Sequence, residues 1–373
     1  MSDQEIRSRV AANPTSVMLQ SWKRIILVHA MTLHSEIVEQ AQVFQRLLDH
    51  RPGIEVIAEE IRRHAPRYAF LAARGTSDNA GRYANYLWGA HNHLPVALAT
   101  PSLFTYYNSP PNLSGALVVG VSQSGRSPDI LAVIREGKRQ GCLTLGITNA
   151  AGSPLGRACD LVLDVCAGAE KAVAATKSYT AELLAMALLS ALLEKSDEHL
   201  AALDRLPDWT AQVLELDGPI ARMAPRYRFM DRCVVIGRGF NYATAFEWSL
   251  KIKELTYTVS EPYSSADFMH GPIAMIERNF PVMVVAPDGK VFEDLFLLMK
   301  MLHRHNAELV VISDRSEALA LAQSAMAMPR GIPEWLTPLL AIIPAQLFCY
   351  HLTLAKGLDP ESPRSLKKVT RTH

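Results

Sequence analysis

The stretch Ala116-Leu117-Val118-Val119-Gly120-Val121-Ser122-Gln123-Ser124-Gly125-Arg126-Ser127-Pro128-Asp129 decides the fold. Its first six residues form an unbroken apolar run, as in a parallel strand covered on both faces. The run ends on hydroxyls, an amide and a glycine, and a helical pattern follows over Asp129–Gln140. Strand, polar turn and helix make the βα unit of a doubly wound sheet. In such sheets ligands bind beyond the carboxyl ends of the strands. A helix N-terminus there offers free N–H groups and the positive end of its dipole.

Similar short runs lie on either side, at Tyr68–Ala73, Pro95–Ala99, Leu143–Thr148 and Leu161–Val165. Helical patterns over His34–Asp49 and Asn79–Gly89 accompany them. A second series holds strands at Cys233–Gly237, Val282–Ala286 and Leu309–Ser313, with a helix over Thr244–Glu254. The first strand ends at Arg74-Gly75 in one series and at Arg238-Gly239 in the other. The next strand ends 48 residues later in both, at Ser122 and Ala286. The third ends after a further 26 and 27 residues. This spacing predicts an α/β chain of two doubly wound, flavodoxin-like domains with parallel sheets, related by internal duplication. The expected division is an extension and helix over 1–50, domains over 51–205 and 206–345, and a tail over 346–373.

Composition fits that picture. The chain has 373 residues, about two domains at roughly 150 residues each. With 49% hydrophobic and 20% charged residues it is not disordered. Lys+Arg 38 against Asp+Glu 37 leaves no bulk charge for nucleic acid. Five cysteines without a C-x-x-C pair read as reduced thiols of a cytoplasmic protein. The longest apolar stretch, Trp335–Tyr350, spans 16 residues and holds Pro338 and Pro344. It falls short of the roughly 20 that a membrane span needs, so no membrane partner is expected. Residues 1–30 carry no signal-peptide pattern and read either as a loosely attached extension or as sequence ahead of a true start at Met31.

The duplication exposes an asymmetry. The first copy has Ser122-Gln123-Ser124-Gly125-Arg126-Ser127 after its second strand, whereas the second copy has Ala286-Pro287-Asp288-Gly289-Lys290. Only the first suits an anion such as phosphate. The plain alternative is a polar turn with a helix N-cap. Thr76 and Ser77 at the preceding strand end favour the anion. Neither G-x-x-x-x-G-K-[ST] nor G-x-G-x-x-G occurs, so no nucleotide cofactor is indicated. Glu247, Lys251 and Glu254 share one helix face at i, i+4 and i+7, which alone reads as a solvated ion-pair face. His270, beside Gly271-Pro272, is a candidate acid/base group. No His/Asp/Glu spacing demands a metal.

Several motifs in order resemble one family. They are Arg74–Asn79, Val121–Gly125, Ala172–Thr180 (AVAATKSYT), Ile236–Glu254, Glu261–Pro272 and Pro363–Thr370. The chain resembles the tandem SIS-domain (sugar isomerase) proteins, in particular the isomerase half of glucosamine-6-phosphate synthases and the stand-alone glucosamine-6-phosphate deaminases. The resemblance implies that Ser122, Gln123, Ser124 and Ser127, with Thr76 and Ser77, hold a sugar phosphate. Val173 and Ala175 would line the sugar site, Ala175 standing where the synthases usually carry Ser. Glu254 would move the proton between C1 and C2, with Lys251 and Glu247 as its helix neighbours. His270 would open the sugar ring from the partner subunit of a homodimer, and Lys368 would meet the open-chain carbonyl. Counting from Pro363-Arg364 selects Lys368, while counting back from Val369-Thr370 by the synthase pattern selects Lys367. The Lys-Val-Thr ending resembles the stand-alone branch and favours Lys368.

The synthases also need a glutaminase domain with an N-terminal cysteine. This sequence opens Met1-Ser2-Asp3 and has no cysteine before Cys142. The expectation is therefore deamination: glucosamine 6-phosphate to fructose 6-phosphate and ammonia, without glutamine and without metal or cofactor. Galactosamine 6-phosphate and fructosamine phosphates are alternative substrates, and a non-catalytic sugar-phosphate sensor is the alternative outside catalysis.

Overall fold

The computed structural model describes residues 32–368. The expected extension over 1–30 lies outside them. The chain enters through helical residues 32–38, then α1 (Gln40–Asp49) and α2 (Arg51–His64). The first copy continues as β1 (Tyr68–Ala72), α3 (Thr76–Asn92), β2 (Val96–Leu98), β3 (Ala116–Val121), α4 (Pro128–Arg139), β4 (Leu143–Thr148), β5 (Leu161–Asp164) and α5 (Lys177–Glu194). The second runs β6 (Arg232–Gly237), α6 (Tyr242–Thr256), β7 (Val259–Ser264), β8 (Pro281–Val285), α7 (Phe292–Arg304), β9 (Glu308–Ser313), β10 (Ser324–Ala327) and α8 (Thr337–Ala355). Short helices fill the connections.

Each copy forms a five-stranded sheet, β2-β1-β3-β4-β5 and β10-β9-β8-β6-β7, with every pair parallel. Renumbered from its own first strand, the second order is that of the first read backwards. The duplication expected from spacing is therefore present in the topology. Both are the flavodoxin-like order, whose crevice opens where β1 and β3, or β6 and β8, send their helices to opposite faces.

The side-chain alternation of a strand sets the layers. Leu117, Val119 and Val121 face inward, whereas Ala116 and Val118 join an outer cluster with Phe70 and Ile130. The inner faces of both sheets belong to one continuous core, from Leu71 and Ile147 to Val235 and Ile312. Helices α3, α5, α6 and α8 fill it with fully buried Trp88, Tyr179, Trp248 and Phe348. α5 and α8 are apolar almost all round because protein covers every side. Glu334–Ala355 is long and apolar enough to cross a membrane, but 83% of its most apolar window is buried inside the protein.

Two details correct the expectations. The boundary placed after residue 345 cuts α8, which runs unbroken from Thr337 to Ala355 despite Pro344. Strands β7 and β10 had no counterpart in the sequence reading. Both are sheet edges with partly exposed residues, and β7 carries Pro262, which an edge tolerates.

Candidate active site

A cavity of about 400 Å³ opens at the carboxyl end of the first sheet. Its floor is the β3–α4 turn. Gly125 has φ +60, and its N–H donates to both the backbone oxygen and Oγ of Ser122, at 3.1 and 3.2 Å. A Cβ at Gly125 would lie 1.9 Å from Ser153 Oγ, so only glycine fits there. The Asn149 N–H donates to Gln123 O and the Leu155 N–H to Gly125 O, which anchors the turn to the next βα loop. Ser127 stands at the N-cap of α4, yet its hydroxyl makes no capping bond. The plain N-cap reading therefore fails here, and Ser127 lines the cavity together with Ser122, Gln123 and Ser124.

α3 begins beside this floor, with Gly75 at φ +54 before it. Thr76 and Ser77 line the cavity, but their hydroxyls point elsewhere. Thr76 donates to Glu247 Oε1 at 3.1 Å and accepts from Lys251 Nζ at 3.1 Å. Ser77 donates to Glu182 Oε1 at 2.9 Å. Their hydroxyls are thus structural, and what they offer a ligand is N–H groups in the first turn of α3. Arg74, half exposed, also lines the cavity, its Nε held 2.5 Å from the buried Asp129 carboxylate.

The second copy supplies the wall through α6. Lys251 is buried between two carboxylates, 3.3 Å from Glu247 and 2.5 Å from Glu254. Burial opposes its charge, but the two carboxylates outweigh it and raise its pKa. Burial pushes the Glu247 carboxyl up to about 7 against the pull of Lys251, and Glu254 adds to the rise. Lys251 and Glu254 line the cavity. Glu247 is not among the lining residues. It is fully buried, accepts from Asn79 Nδ2 at 2.8 Å, and acts as an anchor for Lys251 and Thr76, not as a group that touches a ligand.

The C-terminal tail closes the cavity with Leu366, Lys367 and Lys368. It is tied to α6 where the Arg364 N–H donates to the Tyr257 hydroxyl at 2.8 Å and its guanidinium covers the Tyr257 ring. Lys368 Nζ lies 2.7 Å from Glu170 Oε2. Burial raises the Glu170 pKa, but Lys368 and N–H bonds from Thr176 and Ser178 outweigh it, so the carboxyl stays ionised. Lys367 is exposed.

A family model for the SIS domain matches residues 64–192 and again 228–356. The chain belongs to the SIS family. A glutamine–fructose-6-phosphate aminotransferase [isomerizing] of Bordetella parapertussis is 35% identical over 311 residues, 80% of this chain and 50% of that protein. The chain thus spans about half the length of the curated relatives it matches. Among solved structures, a candidate phosphosugar isomerase from Silicibacter pomeroyi DSS-3 is 32% identical at TM-score 0.80, covering 88% of this chain and 99% of its own. The C-terminal domain of a glucosamine-fructose-6-phosphate aminotransferase from Francisella tularensis is 26% identical at TM-score 0.80, covering 89% and 98%.

Within this SIS pair, most residues named from the sequence meet at the one cavity, Val173 and Ala175 included. His270 does not. It is exposed, just after the short helix Ser265–Met269, and does not line the cavity of its own chain. Arg74, Glu170 and Glu182 had not been singled out. Arg74 opens the motif Arg74–Asn79 and Glu170 lies two residues before Ala172–Thr180, and those positions are the available signal.

The second SIS copy shows what became of the equivalent turn. Gly239 and Gly289 stand where the first copy has Gly75 and Gly125, and both have positive φ. Glu334 fills the space between them. It accepts from the Lys290 N–H at 2.9 Å, and a Cβ on Gly289 would lie 2.3 Å from its carboxyl carbon. Asp288 is paired with Arg315 at 2.6 Å. The space beside this turn is taken by the chain's own carboxylate.

Proposed function

We propose that the cavity binds a hexosamine 6-phosphate, glucosamine 6-phosphate in the first instance, and converts it to fructose 6-phosphate and ammonia. One observation carries this reading. The hydroxyl-bearing turn of the first copy lines the same cavity as Glu254 and Lys368, so groups suited to an anion and groups suited to moving a proton adjoin one space of about 400 Å³. The phosphate sits on Ser124, Ser127, Gln123 and the N-termini of α3 and α4, with Arg74 beside it. Glu254 takes the proton from C2 of the open chain and returns it to C1. The resulting C2 imine adds water and loses ammonia. Lys251 fixes the Glu254 carboxylate through their 2.5 Å contact. Lys368 places positive charge at the carbonyl oxygen where negative charge develops.

The paired assay with and without glutamine separates release of ammonia from its transfer. Ring opening is assigned to His270 of a second copy in a homodimer, a reading supported by its exposure away from its own cavity.

The test is ammonia and fructose 6-phosphate release over a panel of amino-sugar phosphates, with and without glutamine. Glu254→Gln keeps the shape and removes the base, so kcat should fall about 10²–10⁴-fold with KM nearly unchanged. Ammonia from galactosamine 6-phosphate alone would correct the substrate. Tight binding without turnover of any member would replace the enzyme with a sensor.

A further inference from the structure

Outside the cavity, His34, Asp217 and His351 converge from three separate elements: helical residues 32–38, the short helix Asp217–Met223 and α8. His34 Nε2 lies 2.8 Å from Asp217 Oδ2, and His351 Nε2 lies 2.6 Å from Asp217 Oδ1. One donor atom from each residue falls within 4.8 Å of the others. The side chains are 30, 32 and 15% exposed, so solvent reaches a site whose supports are fixed in the core.

We propose that these three residues bind one borderline divalent transition-metal ion, zinc in the first instance. Two imidazole nitrogens and one carboxylate oxygen form a donor set that suits zinc and its neighbours, while magnesium and calcium prefer oxygen alone. A tetrahedral zinc with bonds of about 2.0–2.1 Å holds its ligands about 3.3 Å apart. The present contacts widen by about half an ångström to admit the ion, within side-chain reach. Binding replaces two N–H···O bonds with two metal–nitrogen bonds and one metal–oxygen bond. Each ring proton moves to Nδ1, and water completes the shell.

The ion would act as a staple. Helical residues 32–38 also carry Glu36, which is buried and accepts from the N–H groups of Lys171 and Ala172 beside the cavity wall. α8 leads into the tail that carries Lys368. The metal would join the bases of both segments. A second cluster, His91, Glu194 and His199, serves as an internal control. Its imidazoles are stacked with centroids 4.6 Å apart, and His91 Nδ1 stays 4.0 Å from Glu194. His199 Nδ1 lies 2.8 Å from Glu194, so one imidazole hydrogen-bonds the carboxylate here, whereas two do at Asp217.

The experiment uses the full chain, stripped with a chelator and titrated with Zn²⁺ by calorimetry and Co²⁺ by absorption. One equivalent should bind with micromolar or tighter affinity, Co²⁺ should give tetrahedral d–d bands, and the melting temperature should rise. Asp217→Asn and His351→Ala should weaken binding by more than about 100-fold, since even an outer partner of a metal ligand is worth about 10–100-fold. His199→Ala should leave it unchanged. Where one of these variants loses its fold by circular dichroism, His34→Gln stands in for it. Absence of saturable binding, binding that survives these changes, or binding lost in His199→Ala would overturn the proposal.

Discussion

Glu182 keeps its proton at neutral pH. Burial raises its carboxyl to about 8; Ser77 donates to one oxygen, and the other is buried without a partner. Between its ordinary 4.5 and about 8, the folded chain therefore holds a proton that the unfolded chain has lost. Stability contributed by this group falls as pH rises through that window. Glu182→Gln keeps a neutral side chain of the same shape and removes the loss. Relative to the wild type, the variant should gain stability from pH 5 to pH 8, at about 1.4 kcal/mol per unit of pKa difference, in urea titrations at each pH. Equal pH slopes for both proteins would show an ionised Glu182. Ser124 is the complementary case. Ser124→Ala removes one hydrogen bond to a charged ligand, about 1.5–3 kcal/mol, so KM for the sugar phosphate should rise roughly tenfold or more. An unchanged KM would take the turn out of the site. The residue types at this scale were legible in the sequence. Their directions were not: Thr76 and Ser77 read as phosphate ligands, yet buried carboxylates from distant helices claim both hydroxyls.

The decisive element is the β3–α4 turn, whose shape rests on one glycine. Gly125→Ala adds a Cβ at positive φ and drives it against Ser153. The turn must shift, at a cost of about 1–3 kcal/mol, which is typical for strain at such a position. Denaturant midpoints should fall accordingly, and KM should rise at least as much as in Ser124→Ala; a variant with wild-type KM would show that the turn's conformation does not matter to the ligand. Buried elements were the readable ones. β3 and β4 keep the ends read from the sequence, Ala116–Val121 and Leu143–Thr148. Edge strands β7 and β10 were missed because half-solvated residues carry a weaker pattern. The ion pairs of α6 were visible as an i, i+4, i+7 face, but periodicity alone assigned that face to solvent. Tertiary packing buries it instead, with Lys251 and Glu247 almost fully enclosed.

At the scale of the whole molecule, the two sheets share one core, and the cavity draws on both copies: its floor from the first, its wall with Lys251 and Glu254 from the second. Assembly extends the same logic. If His270 serves the neighbouring subunit, inactive Glu254→Gln and inactive His270→Ala proteins should regain activity when their subunits are mixed and exchanged. A statistical mixture places one intact site in each mixed dimer, so about a quarter of wild-type activity is expected from the combinatorics of equal mixing. Exchange shown by mass without any regained turnover would place both residues in one subunit's site.

Glu334 gives the duplicated fold its division of labour. In the second copy a tethered carboxylate occupies the place between Gly239 and Gly289, and a group fixed to the chain never dissociates. That crevice is filled from within, like a lock delivered with the key broken off inside. The matching turn of the first copy opens onto the cavity instead. Glu254 is mounted on the copy closed by its own side chain, so the helix that walls the cavity stands on the half with the plugged crevice.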